Sequence, residues 1–260
     1  MILPVATDPS ILHASLPILY YAGGTAAACL ACHGLAQRWL NPAPAEDAAT
    51  RETFGQALGL VFAMLFALTT VSVWNNYDRL DASAAREADL LRDLNRDLEA
   101  YPASLREPGR RLLQAYLQRV VKVEWPVLER GGRDAQAEAL IAQFNRLLIH
   151  YRPAGMAELP RHEEMLRLVD QHRDLRQARV QGAGSYLDTS MWESLLGVSV
   201  IFLGFWCLHR ARHVRTYRLQ LAALGAMVGL VLYMMAAYNN PFRGPEAIRP
   251  AAFQELLDGY

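Results

Sequence analysis

The residues of this chain whose types and spacing could carry chemistry are few. Arg176 and Arg179 stand three apart, so a helix would put both guanidinium groups on one face. Upstream, Glu124, Trp125 and Pro126 follow one another, an acid, an indole and a helix breaker. An acid there is expected to cap a helix or pair with an arginine such as Arg176 or Arg179, and the indole to pack against its neighbours. Cys29 and Cys32 have redox or soft-metal spacing with His33 beside them. No second Cys/His pair exists to complete four ligands, and cysteine is a common small apolar residue of buried helices. No metal or cofactor is therefore expected. Nor is there a Ser/His/Asp order or a phosphate-cradling glycine loop. An enzyme is not expected; it would need Glu124 to meet His162 or His172 in a water-filled cleft.

What must position these residues follows from composition. The chain has 260 residues, 52% of them hydrophobic and only 20% charged. Its 26 basic and 26 acidic residues cancel, so no net field would draw in nucleic acid. The charge is uneven, because residues 75–190 hold 18 of the basic and 18 of the acidic residues. A polar middle thus lies between apolar ends. A helix needs about 20 mostly apolar residues to cross a hydrocarbon core. The stretches Leu16 to Gln37, Phe54 to Tyr77 and Leu219 to Phe242 meet that length without one Asp, Glu, Lys or Arg. Met191 to Leu208 is a fourth span, in which Glu193 lies one turn inside the start and Trp192 stands as an interfacial anchor. An ionisable group there either acts in a pathway or simply reaches the headgroup water.

The middle reads as helices throughout, with no alternation of period two. Apolar residues at Leu80, Ala84, Ala88, Leu91, Leu94 and Leu98 carry the second span on into a long amphipathic helix that ends by Pro102. A second helix is expected from about Pro108 until Trp125 and Pro126 break it, a third over about Asp134 to His150, and a fourth over about Pro160 to Gln181. The fold class is therefore all-α: a polytopic membrane protein with four transmembrane helices and a four-helix extramembrane insertion between spans two and three. Residues 1–77 hold the N-terminal tail and spans one and two, 78–188 the charged insertion, 189–242 spans three and four, and 243–260 a C-terminal tail.

Arg210, Arg212, Arg215 and Arg218 crowd the short loop between spans three and four, and Arg38 and Arg51 the loop between spans one and two. The short-loop form of the positive-inside rule puts both loops in the cytoplasm, which places both termini and the insertion outside. Small residues spaced by four recur at Gly55 and Gly59, Gly225 and Gly229, and Gly23 and Ala27. Such faces let helices approach closely, within one chain or between copies.

With these pieces placed, most of the chain resembles the bestrophin-like family of bacterial four-span membrane proteins. The matching residues are Glu87 with Ala88, Tyr116 eight residues before the Glu124, Trp125, Pro126 step, the Arg176 and Arg179 pair, Trp192, and the closing Pro241, Phe242, Arg243 and Gly244 after Asn240. The resemblance implies kinship with pentameric anion channels, and so a homo-oligomer in the bilayer passing chloride or another small anion. Glu193 and Arg210, Arg212, Arg215 and Arg218 would then lie at the pore or its mouth. The rival reading is a non-conducting sensor or scaffold that acts through a partner.

Overall fold

The computed structural model describes residues 9–39, 48–209, 211 and 213–259. Every regular element among them is helical. In chain order they are α1 (Pro9–Trp39), α2 (Ala48–Asp97), α3 (Ala103–Arg119), α4 (Trp125–Leu128), α5 (Ala135–His150), α6 (Leu159–Gln181), α7 (Thr189–Cys207), α8 (Val214–Asn239) and α9 (Ala251–Asp258). Among the described residues four helices, α1, α2, α7 and α8, are long and apolar enough to cross a membrane.

The chain divides into two compact units. The first holds α1, α2 as far as Asn75, α7 and α8. Its helices leave large apolar side chains exposed, among them Leu19 on α1, Leu68 and Val71 on α2, Val200 and Ile201 on α7, and Leu219 and Met227 on α8. Such surface calls for lipid or another apolar partner rather than water. Inside the unit Phe62 stacks between Phe66 and Phe202, each with ring centroids 4.2 Å away. Asp188 caps α7 by accepting from the Met191 amide at 2.8 Å, and Asn239 Oδ1 accepts from the buried Leu187 amide at 2.7 Å. Gly225 and Gly229 face α1, where a Cβ would run into Thr25, the Tyr21 carbonyl and Cys29. The close approach lets Thr25 Oγ1 donate to the Gly225 carbonyl at 2.7 Å. Gly55 faces Phe205 and Trp206 of α7, whereas Gly23 meets nothing within 4 Å. Two of the three small-residue faces therefore serve packing within the chain.

The second unit runs from Asn76 to Tyr186 and takes in the chain from Asn240 onward. Its core joins Leu91 and Leu94 of α2, Leu98 in the 3-10 turn that follows, Leu113 and Leu117 of α3, Phe144 and Leu148 of α5, Met165 and Val169 of α6, and Phe253 of α9. The three- and four-residue spacing is that of single buried helix faces. The structure corrects two sequence expectations here. The helix expected from Pro108 starts five residues earlier, at Ala103, with Pro102 as its cap. The Pro102 carbonyl accepts from Leu105 and Arg106, and burial of Leu105 rewards the extra turn. The helix also passes through Trp125 and Pro126 instead of breaking there. Residues Val120–Glu124 form a π turn in which the Trp125 amide reaches back to the Val120 carbonyl. That wider turn accommodates a proline, which brings no N–H and would crowd an α-helical carbonyl. The helix runs to Leu128 and is closed by a turn at Gly131, whose φ of 73° suits glycine.

The segment after α8, read from sequence as a tail, folds into this unit. Phe242 and Phe253 are buried, the Pro241 carbonyl accepts from Ile248 at 2.8 Å, and Gly244 adopts a φ of 99° in the intervening turn. The Pro-Phe-Arg-Gly signature is thus a turn that seats Phe242 and leaves Arg243 exposed.

Candidate functional site

At the centre of the second unit lies a buried ion-pair network in which Glu87, Glu124, His172 and Arg179 are all 0% exposed. Each helix contributes for a local reason. Glu87 sits on the apolar face of α2 between Ala84, Ala88 and Leu91. Glu124 is the last residue of the π turn, which adds a residue to the helix and so rotates the side chains that follow it. His172, Arg176 and Arg179 occupy one face of α6 at spacings of four and three.

Arg179 is the hub. Its Nε donates to Glu87 Oε2 at 2.7 Å, and its Nη2 donates to Glu87 Oε1 at 3.0 Å and to Glu124 Oε2 at 2.9 Å. The guanidinium lies over the Trp125 ring at 5.0 Å and the Phe253 ring at 5.5 Å. Arg176 donates from Nη2 to the other Glu124 oxygen and, at 3.4 Å, to the Asp134 carbonyl. Tyr116 Oη donates to Glu87 Oε1 at 3.0 Å. The Trp125 indole is itself fixed, with Nε1 donating to the Ile248 carbonyl at 2.9 Å and Phe242 set edge-on at 5.7 Å.

Two carboxylates against two guanidinium groups make the network electroneutral with His172 uncharged. Burial alone would raise the Glu87 carboxyl, but the charge and hydrogen bonds of Arg179 outweigh it and hold Glu87 below the usual carboxylate range. Burial, aided by the Glu87 charge, pushes the Tyr116 phenol well above its ordinary value, so it stays a donor. Burial also pushes His172 down to about 4, outweighing the pull of Glu87, whose carboxylate lies 3.5 Å from Nε2. Both His172 ring nitrogens lack a hydrogen-bond partner, as do Arg176 Nε and Arg179 Nη1.

Glu87, Tyr116, Glu124, Trp125, Arg176, Arg179 and Phe242 thus converge, with Pro126 following in α4 and Pro241 buried beside Phe242 in sequence. Trp192 does not join them; it packs half-buried in the first unit against a core that includes Phe62 and Val228. Glu193 is exposed. Arg215 and Arg218 are exposed at the start of α8, and Arg210 and Arg212 lie outside the described residues. His162 meets Tyr101, with Oη 3.2 Å from Nδ1, and Tyr151. From sequence His172 was named only as a residue that an enzyme would bring to Glu124 in a water-filled cleft; its place beside Glu87 was not foreseen, and its spacing to Arg176 and Arg179 on α6 was the available signal.

Arg176 also reaches the surface. It lines an open cleft of about 580 Å³ between α5 and α6, with Arg133, Arg146 and Arg173 as further cations and Asp170 and Asp174 as anions.

One unit of long apolar helices and another closed around a neutral ion-pair network describe an α-helical membrane protein. The bestrophin-like domain family matches residues 23–253, nearly the whole chain, and the protein belongs to that family. No curated protein and no solved structure matches it.

Proposed function

We propose that the protein is a non-enzymatic, homo-oligomeric channel for chloride or another small anion. Membership of the bestrophin-like family is the observation that carries this reading. In it, four spans cross a bacterial inner membrane and the polar unit is an insertion on the periplasmic side, the arrangement favoured by the arginines of the short loops. The exposed apolar faces of α1, α2, α7 and α8 supply surface for lipid and for neighbouring copies. The spans Leu16 to Gln37, Phe54 to Tyr77 and Leu219 to Phe242 carry no Asp, Glu, Lys or Arg, so selectivity rests on pore width, helix ends and backbone dipoles. Arg215 and Arg218, with Arg210 and Arg212, concentrate anions at one mouth. The test is chloride efflux from liposomes holding the purified protein, with particle mass measured beforehand. Efflux well above empty vesicles from a defined oligomer supports the channel, and silence from an intact oligomer argues against it.

The charged cleft between α5 and α6 favours a second reading. There Arg176 touches both the cleft and the buried Glu124, so a ligand in the cleft would act on the network. A membrane-anchored sensor of this kind would hold a fixed second protein through purification, which a self-sufficient channel would not.

A further inference from the structure

The first unit gathers all three cysteines of the chain. Cys29 and Cys32 share a face of α1 at i and i+3, the expected outcome of their spacing. Cys207, 175 positions beyond Cys32, is the last residue of α7 and comes to the same place. Its Sγ lies 3.4 Å from the Cys29 carbonyl, and Cys29 and Cys207 pack in one buried cluster, one turn of α1 from Cys32. The juxtaposition is built in, because two α1 side chains grip the end of α7. His33 Nδ1 is 2.9 Å from the Cys207 carbonyl, and Gln37 Nε2 donates to the His209 carbonyl at 3.1 Å. Cys29 and Cys207 are buried, whereas Cys32 is exposed on an apolar groove with Ala28, Leu35 and Gly204. Cysteine as plain apolar filler accounts for each residue singly but gives no reason for Cys207 to come to the part of α1 that carries the other two. Among the described residues no group of three or more His, Cys, Asp or Glu side chains that could hold a metal ion occurs.

We propose that Cys32, Cys207 and Cys29 form a redox-active thiol site that a lipid-soluble quinone oxidises to a disulfide. The thiol hydrogens of Cys32 and Cys207 leave as two protons with two electrons, an S–S bond forms, and the quinone takes up both to become a hydroquinone. Cys32 is the thiol a membrane-borne oxidant meets first. Cys29, packed in the same buried cluster as Cys207, then exchanges: its sulfur attacks Cys207, the Cys32–Cys207 bond breaks, and the Cys29 proton passes to Cys32. The product is a buried Cys29–Cys207 bond that ties the middle of α1 to the end of α7 and frees Cys32. With Cys207 Sγ 3.4 Å from the Cys29 carbonyl, side-chain rotation brings the Cys29 and Cys207 sulfurs toward bonding distance.

The test uses the full chain in lipid nanodiscs, exposed to tetramethylbenzoquinone, whose filled ring positions prevent thiol addition. Free thiols are then blocked and the protein is digested without reduction for mass spectrometry, while hydroquinone is counted by absorbance. The expected result is one disulfide per chain that includes Cys207, with one equivalent of hydroquinone. Cys207→Ser should abolish both, and Cys32→Ser should slow oxidation several-fold while leaving Cys29–Cys207 as the product. Three blocked thiols after quinone, or equal oxidation of Cys207→Ser through pairing between chains, overturns the proposal.

Discussion

Arg179 holds Glu87 in a two-pronged grip, Nε to Oε2 at 2.7 Å and Nη2 to Oε1 at 3.0 Å, across 92 positions of chain and with neither side chain open to solvent. The same guanidinium reaches Glu124, so its removal strands two buried carboxylates. Breaking a buried pair from one side typically costs about 3–5 kcal/mol. Arg179→Met should therefore lower the stability of the second unit by about that much, read by circular dichroism during denaturant unfolding of the detergent-solubilised protein. Arg179→Lys should recover little, because an ammonium neither bonds both oxygens in parallel nor stacks between Trp125 and Phe253. Full rescue by lysine would show that only the charge matters.

Tyr116 tests the network more gently. Tyr116→Phe keeps the ring against His172, at a 5.4 Å centroid distance, and removes only the donor to Glu87. A hydrogen bond to a charged group contributes about 1.5–3 kcal/mol. The expected loss lies in that range, below that of Arg179→Met, and the combined variant should cost less than the sum because both act through Glu87.

The pH profile follows from two groups. His172, pushed down to about 4 in the fold, binds its proton near 6.5 when unfolded, so between those values the unfolded chain holds more protons. Stability is thus full above pH 6.5 and falls as the pH drops toward 4, by about 3 kcal/mol at most. Glu87 is depressed, so its contribution is present above the unfolded carboxylate range and is lost only on further acidification through its lower folded value. His172→Asn should flatten the slope between pH 6.5 and 4 and leave the steeper loss at lower pH. An unchanged slope would assign it elsewhere.

Gly229 and Gly23 separate packing within the chain from assembly. A side chain at Gly229 collides with the α1 backbone at Tyr21 and with Thr25, so Gly229→Val should lower the unfolding temperature of the monomer. Gly23 meets nothing within 4 Å, so Gly23→Leu should leave that temperature unchanged. If Gly23 faces a neighbouring copy, the same variant should shift the particle mass in light scattering.

The apolar runs and the three-to-four spacing of the middle made the helices legible from sequence, because both are local patterns. Glu124 does pair with Arg176 and Arg179, as their spacing on one helix face allows. The partnership of Arg179 with Glu87 was not legible, since it depends on how α2 and α6 pack across 92 positions. Pro126 misled because a proline normally breaks a helix, and only the π turn before it removes the conflict. The segment from Asn240 onward carries one eight-residue helix, too short to announce itself; its place was set by Phe242 and Phe253 filling the core beside Trp125. Cys207 joined Cys29 and Cys32 for a like reason, a contact between α1 and α7 that no spacing encodes.

The most direct test of anion conduction is the reversal potential of current through the purified protein in a planar bilayer, with a chloride gradient and an impermeant cation on both sides. The account expects a reversal close to the chloride equilibrium potential, with current reduced when Arg210, Arg212, Arg215 and Arg218 are replaced together by Gln. A reversal that ignores the chloride gradient, or no current from a verified oligomer over the full voltage range, would contradict it.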